Sequence, residues 1–336
     1  MSRSLPLITV IIAARVDQSE VVALSGLLFS SFPREQYEVL LVRGRQPSRQ
    51  RNLAAREARG EFLYFLDDDS MIGPDALERI SQGFTDPEVA VVGGPSLCPE
   101  AAPPLQQAFA ALMGSWLAFG PSCARYRQKG AVRATSEKEF ILCNMAIRRT
   151  DFDRLNGFDE ALYPNEENVL LDQLEHDGRR LWYDPGLIVY RYPRDTVTGF
   201  LWMLFRYGRG RGEQVRLHPT TGSLLNFIPA LWGIYLLVLL ALWGFSAGSL
   251  SFLQSPIVWP GWVYVAVLLG FTAKAFIVGG VVEGVLAAPL LGAAHLFYGI
   301  GLWKGLVVGA SPRDDLVEED EITVERVRLA GRSLDR

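Results

Sequence analysis

Short continuous apolar runs alternate with helix-periodic segments over the first two-thirds of the chain, and the pattern changes near residue 219. Residues 7–12 form an unbroken apolar run, suited to a strand buried on both faces. Residues 19–31 carry helical spacing at Val22, Leu24, Leu27 and Leu28, and Pro33 ends the segment. A second strand is expected over 37–42, a helix over 48–58 closed before Gly60, and a third strand over 62–66. Pro74 opens a helix reaching residue 84, and 89–92 is a fourth strand. This alternation predicts an α/β fold with a mostly parallel, doubly wound, Rossmann-like sheet, whose ligands lie beyond the carboxyl ends of the strands. Over 101–139 the pattern loosens: Pro103-Pro104, a helix with Phe and Trp, then a basic loop over 125–133. Regular elements resume at 140–147, and a helix is expected over 166–176, closed by Gly178. Trp182 and Tyr183, the Asp184-Pro185-Gly186 turn and residues 187–190 read as a hairpin.

Beyond Pro219 the polar positions disappear. Residues 224–245 carry no charge and are long enough, as a helix, to span a bilayer core of roughly 30 Å. Residues 257–305 are about twice the length of one pass, interrupted only by Lys274, Glu283, His295 and Lys304. Gly279-Gly280 offers a turn near the middle, so three spans are expected, with residues 246–256 as an outer loop and the tail outside. Lys304 and Arg313 pull the last end inward by the positive-inside bias, against that count. The expected division is a catalytic domain over 1–219 with an interfacial segment at 196–219, membrane helices over 220–310, and a charged flexible tail over 311–336.

Composition narrows the class. Of 336 residues 49% are hydrophobic, which suits one soluble domain plus a membrane-embedded part. A net charge of −4 argues against a nucleic-acid partner. Cys98, Cys123 and Cys143 are odd in number and lack metal-type spacing, so reduced thiols and a cytosolic catalytic domain are expected. The opening residues enter a strand-like run without a small-residue cleavage pattern and are not expected to be a signal peptide.

The candidate chemistry starts at Asp67, Asp68 and Asp69, directly after the third apolar run. Carboxylates crowded at a strand end repel one another, and a divalent cation with oxygen ligands relieves the repulsion. Alternation along an extended chain would point Asp67 and Asp69 the same way and Asp68 the other. A second acidic pair, Glu166 and Glu167, falls in the first turn of a predicted helix, where carboxylates also favour the helix dipole. Adjacent helical residues point about 100° apart, so only one can aim squarely at a site. Arg43, Arg45, Arg49 and Arg51 crowd beside the acidic strand end, and guanidinium forks suit phosphate oxygens; a solvated basic face is the equal alternative. Arg206, Arg209 and Arg211, set among glycines, precede the first apolar span, where basic residues mark the cytoplasmic side. They could also hold the phosphate of a lipid-linked acceptor. Trp182 could stack on a sugar face or serve the core.

Assembled, these pieces resemble glycosyltransferase family 2, nucleotide-sugar-dependent enzymes with a GT-A fold. The resemblance rests on IIAAR (residues 11–15), RQRNLAAREARGEFLYFLDDD, GGPS (residues 93–96), NMAIRRTDFDRLNGFDE and PNEEN, in that order, over roughly residues 5–215. RYGRGRG before the first span is similar to membrane-bound members that build bacterial exopolysaccharides, the succinoglycan type among them. The resemblance implies that Asp67 and Asp69 bind Mg²⁺ or Mn²⁺ against the donor diphosphate, and that Glu167 is the base that deprotonates the acceptor. Ala14, Arg15, Arg51, Asn52 and Asp68 would contact the donor. Four places depart from the family pattern: Val42-Arg43-Gly44-Arg45 replaces an acidic nucleoside-gripping turn, Arg191 replaces a frequent histidine, the base position is Glu where Asp is commoner, and Gln173 stands where an Arg is frequent. The implied function is an inverting transferase at the bacterial inner membrane, multi-pass, its catalytic domain cytoplasmic. It would move sugar from a nucleotide-sugar donor to a polyprenyl-linked glycan acceptor among membrane lipids, with no nucleic acid involved. The alternatives are a polyprenyl-phosphate glycosyl synthase, whose ionised acceptor needs no base, and a catalytically silent membrane scaffold.

Overall fold

The apolar runs become strands, and the periodic segments between them become helices. The computed structural model describes residues 5–162, 164–219, 221–246, 249–308 and 322–329. In chain order the first elements are β1 (Ile8–Arg15), α1 (Val22–Leu28), β2 (Tyr37–Gly44), α2 (Pro47–Glu57), β3 (Phe62–Asp67) and β4 (Met71–Ile72). Next come α3 (Ala76–Gly83), β5 (Val89–Gly93), β6 (Ser96–Leu97), α4 (Pro104–Met113), α5 (Trp116–Phe119), β7 (Arg133–Thr135), β8 (Asn144–Arg148) and α6 (Arg149–Arg154). The chain continues with α7 (Glu166–His176), β9 (Arg180–Tyr183), β10 (Val189–Tyr190) and α8 (Val197–Leu217). Last are α9 (Ile228–Phe245), α10 (Trp259–Val278), α11 (Val281–Val307) and β11 (Thr323–Val327).

Two units result, one drawn from Met1–Pro99, Phe119–Tyr192 and Pro312–Arg336, the other from Glu100–Ala118 and Pro193–Ser311. The first is built on an eight-stranded sheet in the order β11-β2-β1-β3-β8-β5-β9-β7. β2, β1 and β3 are parallel, with Arg15 beside Gly44 and Ala13 beside Asp67, so their carboxyl ends meet at one edge. Alternation splits the core between the two faces: Ile8, Val10 and Ile12 face one apolar cluster, Ile11 and Ala13 the other.

Four features depart from the sequence expectation. The sheet is mixed, because β8 runs antiparallel to both β3 and β5. The expected hairpin does not form: β9 runs parallel to β5, while β10 joins β4 and β6 in a separate small sheet. After Asp184 the chain follows the continuation of its neighbour instead of folding back, with Asp184 N donating to Gly93 O and Val189 N to Pro95 O. The charged tail is not uniformly irregular, since β11 pairs antiparallel with β2. Its period-2 pattern allows this: Ile322 and Val324 pack on one apolar cluster, Val327 and Leu329 on the other. Residues 309–321 and 330–336 of the tail lie outside the described residues. Finally, residues 100–118 group with the C-terminal helices and not with the sheet, because Phe109 stacks on Phe200 at 4.1 Å and Gln106 donates to Pro193 O.

In the second unit three helical stretches are long and apolar enough to cross a membrane, Leu224–Phe245, Pro256–Val278 and Val281–Val307. Gly280, at φ 101°, separates α10 from α11 in a backbone conformation that other residues adopt only under strain. α10 and α11 then run antiparallel, with Phe276 against Gly284 and Tyr264 Oη 2.8 Å from His295 Nδ1. α8 crosses α11 at very short range. A Cβ on Gly208 would lie 2.0 Å from Tyr298 O, and one on Gly301 2.0 Å from Phe205 O. Gly212 and Gly305, four residues on in each helix, repeat the approach, as small-xxx-small faces allow.

Candidate active site

β3 carries its apolar run into the sheet and delivers three carboxylates at its exit. A tight turn, not strand alternation, sets their directions: Ser70 N donates to Asp67 O, and Asp67 N to Ser70 Oγ. Asp67 and Asp69 nevertheless converge on one cationic group, the Arg191 guanidinium. Arg191 Nε and Nη2 reach the two oxygens of Asp69 at 2.7 and 3.0 Å, and Nη1 lies 3.0 Å from Asp67 Oδ2. The remaining oxygen of Asp67 accepts from Arg51 Nη2 at 2.7 Å. At Asp68, burial first, then the Asp69 and Asp67 charges, raise the pKa, with Arg191 opposing.

Arg51 connects the two acidic groups. Buried on α2, it donates from its other terminal nitrogen to Glu166 Oε1 at 3.1 Å. The β3 exit and the start of α7 therefore meet within the reach of one side chain. The start of α7 is itself specialised. Asn165 precedes it at φ 91°, a left-handed conformation that asparagine tolerates better than most residues, and accepts from Asn168 Nδ2. Glu166 is buried, and its pKa is pushed up to about 7 by desolvation and by the charge of Glu167, with Arg51 opposing. Glu167 points to a different neighbour, 3.8 Å from Arg125 Nη1, while Arg125 Nη2 donates to Asn168 Oδ1 at 2.7 Å.

The other expected site residues divide. Ala14 and Arg15 end β1 at the same edge, where Gln50 Nε2 donates to Ala14 O and to Val42 O, both at 2.9 Å. Arg43 donates to the backbone carbonyls of Arg15 and Gln18, so it ties a loop to the strand end. Arg45 and Arg49 are exposed. Asn52, expected on the donor side, is buried and latched to the loop before α7: it donates to Phe158 O at 2.9 Å and accepts from Phe158 N at 2.9 Å. Trp182 packs on the core. In the second unit, Arg209 sits 3.3 Å from Glu213 and Arg211 donates to Gln214 at 2.9 Å, both within α8. Arg206 shares that helix and is half-buried. Cys98, Cys123 and Cys143 are free thiols, as expected.

Arg191, Arg125 and Gln50 are the residues that sequence reasoning missed as site builders. Arg191 carried the one available signal, a departure from the family histidine, but its partners lie 122 residues away. Among the described residues, the Asp/Glu/His/Cys group close enough to share an ion is Glu137, Asp172 and Glu175, which includes neither Asp67 nor Asp69. Glu175 there already accepts from Glu137 N. Asp67 and Asp69 offer hard oxygen donors aimed at a common cation, which fits Mg²⁺ or Mn²⁺ chemically, although guanidinium groups hold those oxygens here.

Residues 35–154 match the Glycosyl transferase family 2 model, a span that includes β3, the three aspartates and Arg51. Over those residues the chain is similar to glycosyltransferase family 2. Its sequence is 29% identical over 162 residues to the succinoglycan biosynthesis protein ExoA of Rhizobium meliloti (strain 1021). That alignment takes in 48% of this chain and 46% of ExoA, so the chain matches about half the length of this curated relative. In three dimensions the fold is similar to the mannosyltransferase PcManGT from Pyrobaculum calidifontis, solved with GDP-Man and Mn²⁺. The TM-score is 0.53 at 17% identity, over 91% of this chain and 88% of PcManGT. The chain thus has the mixed α/β architecture of GT-A proteins, followed by apolar helices suited to membrane association.

Proposed function

We propose that this chain is an inverting glycosyltransferase that moves a sugar from a nucleotide-diphosphate donor to a lipid-linked glycan in envelope or exopolysaccharide assembly. The observation that carries it is the Arg51 bridge, which brings Asp67 at the β3 exit and the Glu166–Glu167 turn of α7 to one locus. Breaking the anomeric C–O bond leaves a dianionic diphosphate, while the acceptor hydroxyl must lose a proton on the opposite face. Asp67 and Asp69 would hold Mg²⁺ or Mn²⁺, which when bound supplies positive charge against the leaving diphosphate. Glu167 takes the acceptor proton, a contribution of about 10²–10⁴-fold. Glu166, held by Arg51, positions that turn. The ExoA likeness supports a polysaccharide acceptor, and the GDP-Man complex of PcManGT supports a nucleotide-sugar donor.

Membrane placement belongs to the same proposal: an even number of crossings, with the catalytic unit and β11 on the cytoplasmic side. β2 and β11 are hydrogen-bonded neighbours, so the chain between them returns to the side it left, which supports an even number of crossings. Three full crossings would place a bilayer between paired strands. An even count also puts the basic residues of α8 and Lys304 on one side, in keeping with the positive-inside bias.

The reaction is tested with purified protein, a panel of UDP- and GDP-sugars and polyprenyl-diphosphate-linked acceptors. Glu167→Gln is expected to lower turnover at least a hundredfold with donor binding unchanged. Undiminished transfer by this variant favours the lipid phosphate as acceptor; no transfer with any donor favours a silent scaffold.

A further inference from the structure

All four oxygens of Asp67 and Asp69 are engaged by guanidinium groups, three of them by Arg191 alone. Arg191 is not a wandering surface side chain. Its backbone N donates to Leu97 O at 2.8 Å, directly after β10, and its side chain is only 27% exposed. A fork on Asp69 with a third contact to Asp67 is the strong, charge-assisted kind of pairing. The two aspartate charges are thereby balanced by Arg51 and Arg191 without a metal. A divalent cation entering this pair must displace the fork and accept the repulsion of two guanidiniums, on top of losing its own water.

A nucleoside diphosphate changes that balance. Its phosphate oxygens match the geometry of a guanidinium fork and add negative charge at the same place. Resting on the assignment of Asp67 and Asp69 as the cation's ligands, we infer that Arg191 is an internal competitor for the cation. It holds the pair closed to divalent metal in the nucleotide-free protein and releases it to the diphosphate, so that metal and donor bind together. Arg191 is in this sense a positioning residue, acting through Asp67 and Asp69. Reciprocity of coupled binding then requires that nucleotide strengthen metal binding by the same factor as metal strengthens nucleotide binding.

The test is Mn²⁺ binding by the full-length protein in detergent, followed by loss of the free-ion paramagnetic resonance signal, with and without UDP or GDP. Native protein is expected to bind Mn²⁺ at least tenfold more tightly with the favoured nucleotide than without it. Arg191→Gln should bind Mn²⁺ at least tenfold more tightly than native protein when nucleotide is absent, with a smaller gain when it is added. If Arg191→Gln binds Mn²⁺ no better than native protein, while native protein with nucleotide binds it well, the competition is overturned and the metal site stands. Absence of Mn²⁺ binding in every case, nucleotide included, overturns both. Should the glutamine variant not fold, Arg191→Lys keeps the charge but cannot fork both carboxylates. It is then expected to bind Mn²⁺ more tightly than native protein, and equal or weaker binding overturns the inference.

Discussion

At the scale of single residues, the site is a set of charges that no residue carries alone. Asp67, Asp69 and Glu166 are each held by an arginine, and two of the three share Arg51. Glu166 gives this a pH signature. Its folded pKa is about 7 against an ordinary 4.5, so the folded protein binds this proton more tightly than the unfolded chain does. The associated stability is fully present below about pH 4.5 and is lost as pH rises through 7. Glu166→Gln fixes the protonated-like form. Melting temperatures of the native and Glu166→Gln proteins, compared from pH 5 to pH 8, should therefore shift progressively in favour of the variant. A constant difference across that range would mean that Glu166 is ionised throughout. The aspartates were legible in sequence because three carboxylates directly follow an apolar run. Arg125 and Arg191 were not, because only folding brings them there.

At the scale of elements, a strand and a helix crossing are the informative cases. β11 lies in a stretch dominated by charge, yet Ile322, Val324, Val327 and Leu329 supply enough alternating apolar surface to cover the β2 edge. An uncovered edge would offer unpaired backbone groups to other chains. The α8–α11 crossing depends on glycine at facing positions. A side chain at Gly301 must push aside the backbone of α8, whereas Gly292, on the same helix, has nothing within 4 Å of its Cβ position. Gly301→Val is expected to cost at least ~1–3 kcal/mol, as overpacking does, and to lower the melting temperature in detergent. Gly292→Ala should leave it unchanged or slightly raised. Equal effects of the two would remove the close crossing as a source of stability. The glycine-rich RYGRGRG segment is thus a packing face, with two of its arginines turned to partners within α8.

For the whole molecule, side of the membrane is the decisive property, and single cysteines read it. Thr323→Cys in β11 should be protected from a membrane-impermeant maleimide in intact cells and react only after lysis; Cys98 is an internal control on the catalytic side. Three full crossings would instead label position 323 before lysis. Ser311, the position nearest the end of α11 that would report the same thing, lies outside the described residues.

The sequence alone determined what is local: strand and helix order from periodicity, the acidic exit of β3, the carboxylate pair opening α7, the glycine break at 279–280 and three apolar helical stretches. Hydrophobic spacing and adjacent charges act between near neighbours, so a linear pattern records them. Tertiary structure decided what depends on distant segments meeting. It set the antiparallel insertion of β8 and the separation of β9 from β10. It bound Arg191 to residues 122 positions away and returned β11 to the sheet. An apolar helix looks the same in sequence whichever way it runs, because hydropathy has no direction. The pairing of β11 with β2, which brings the end of the chain back to the first sheet, is what the proposed even number of crossings rests on.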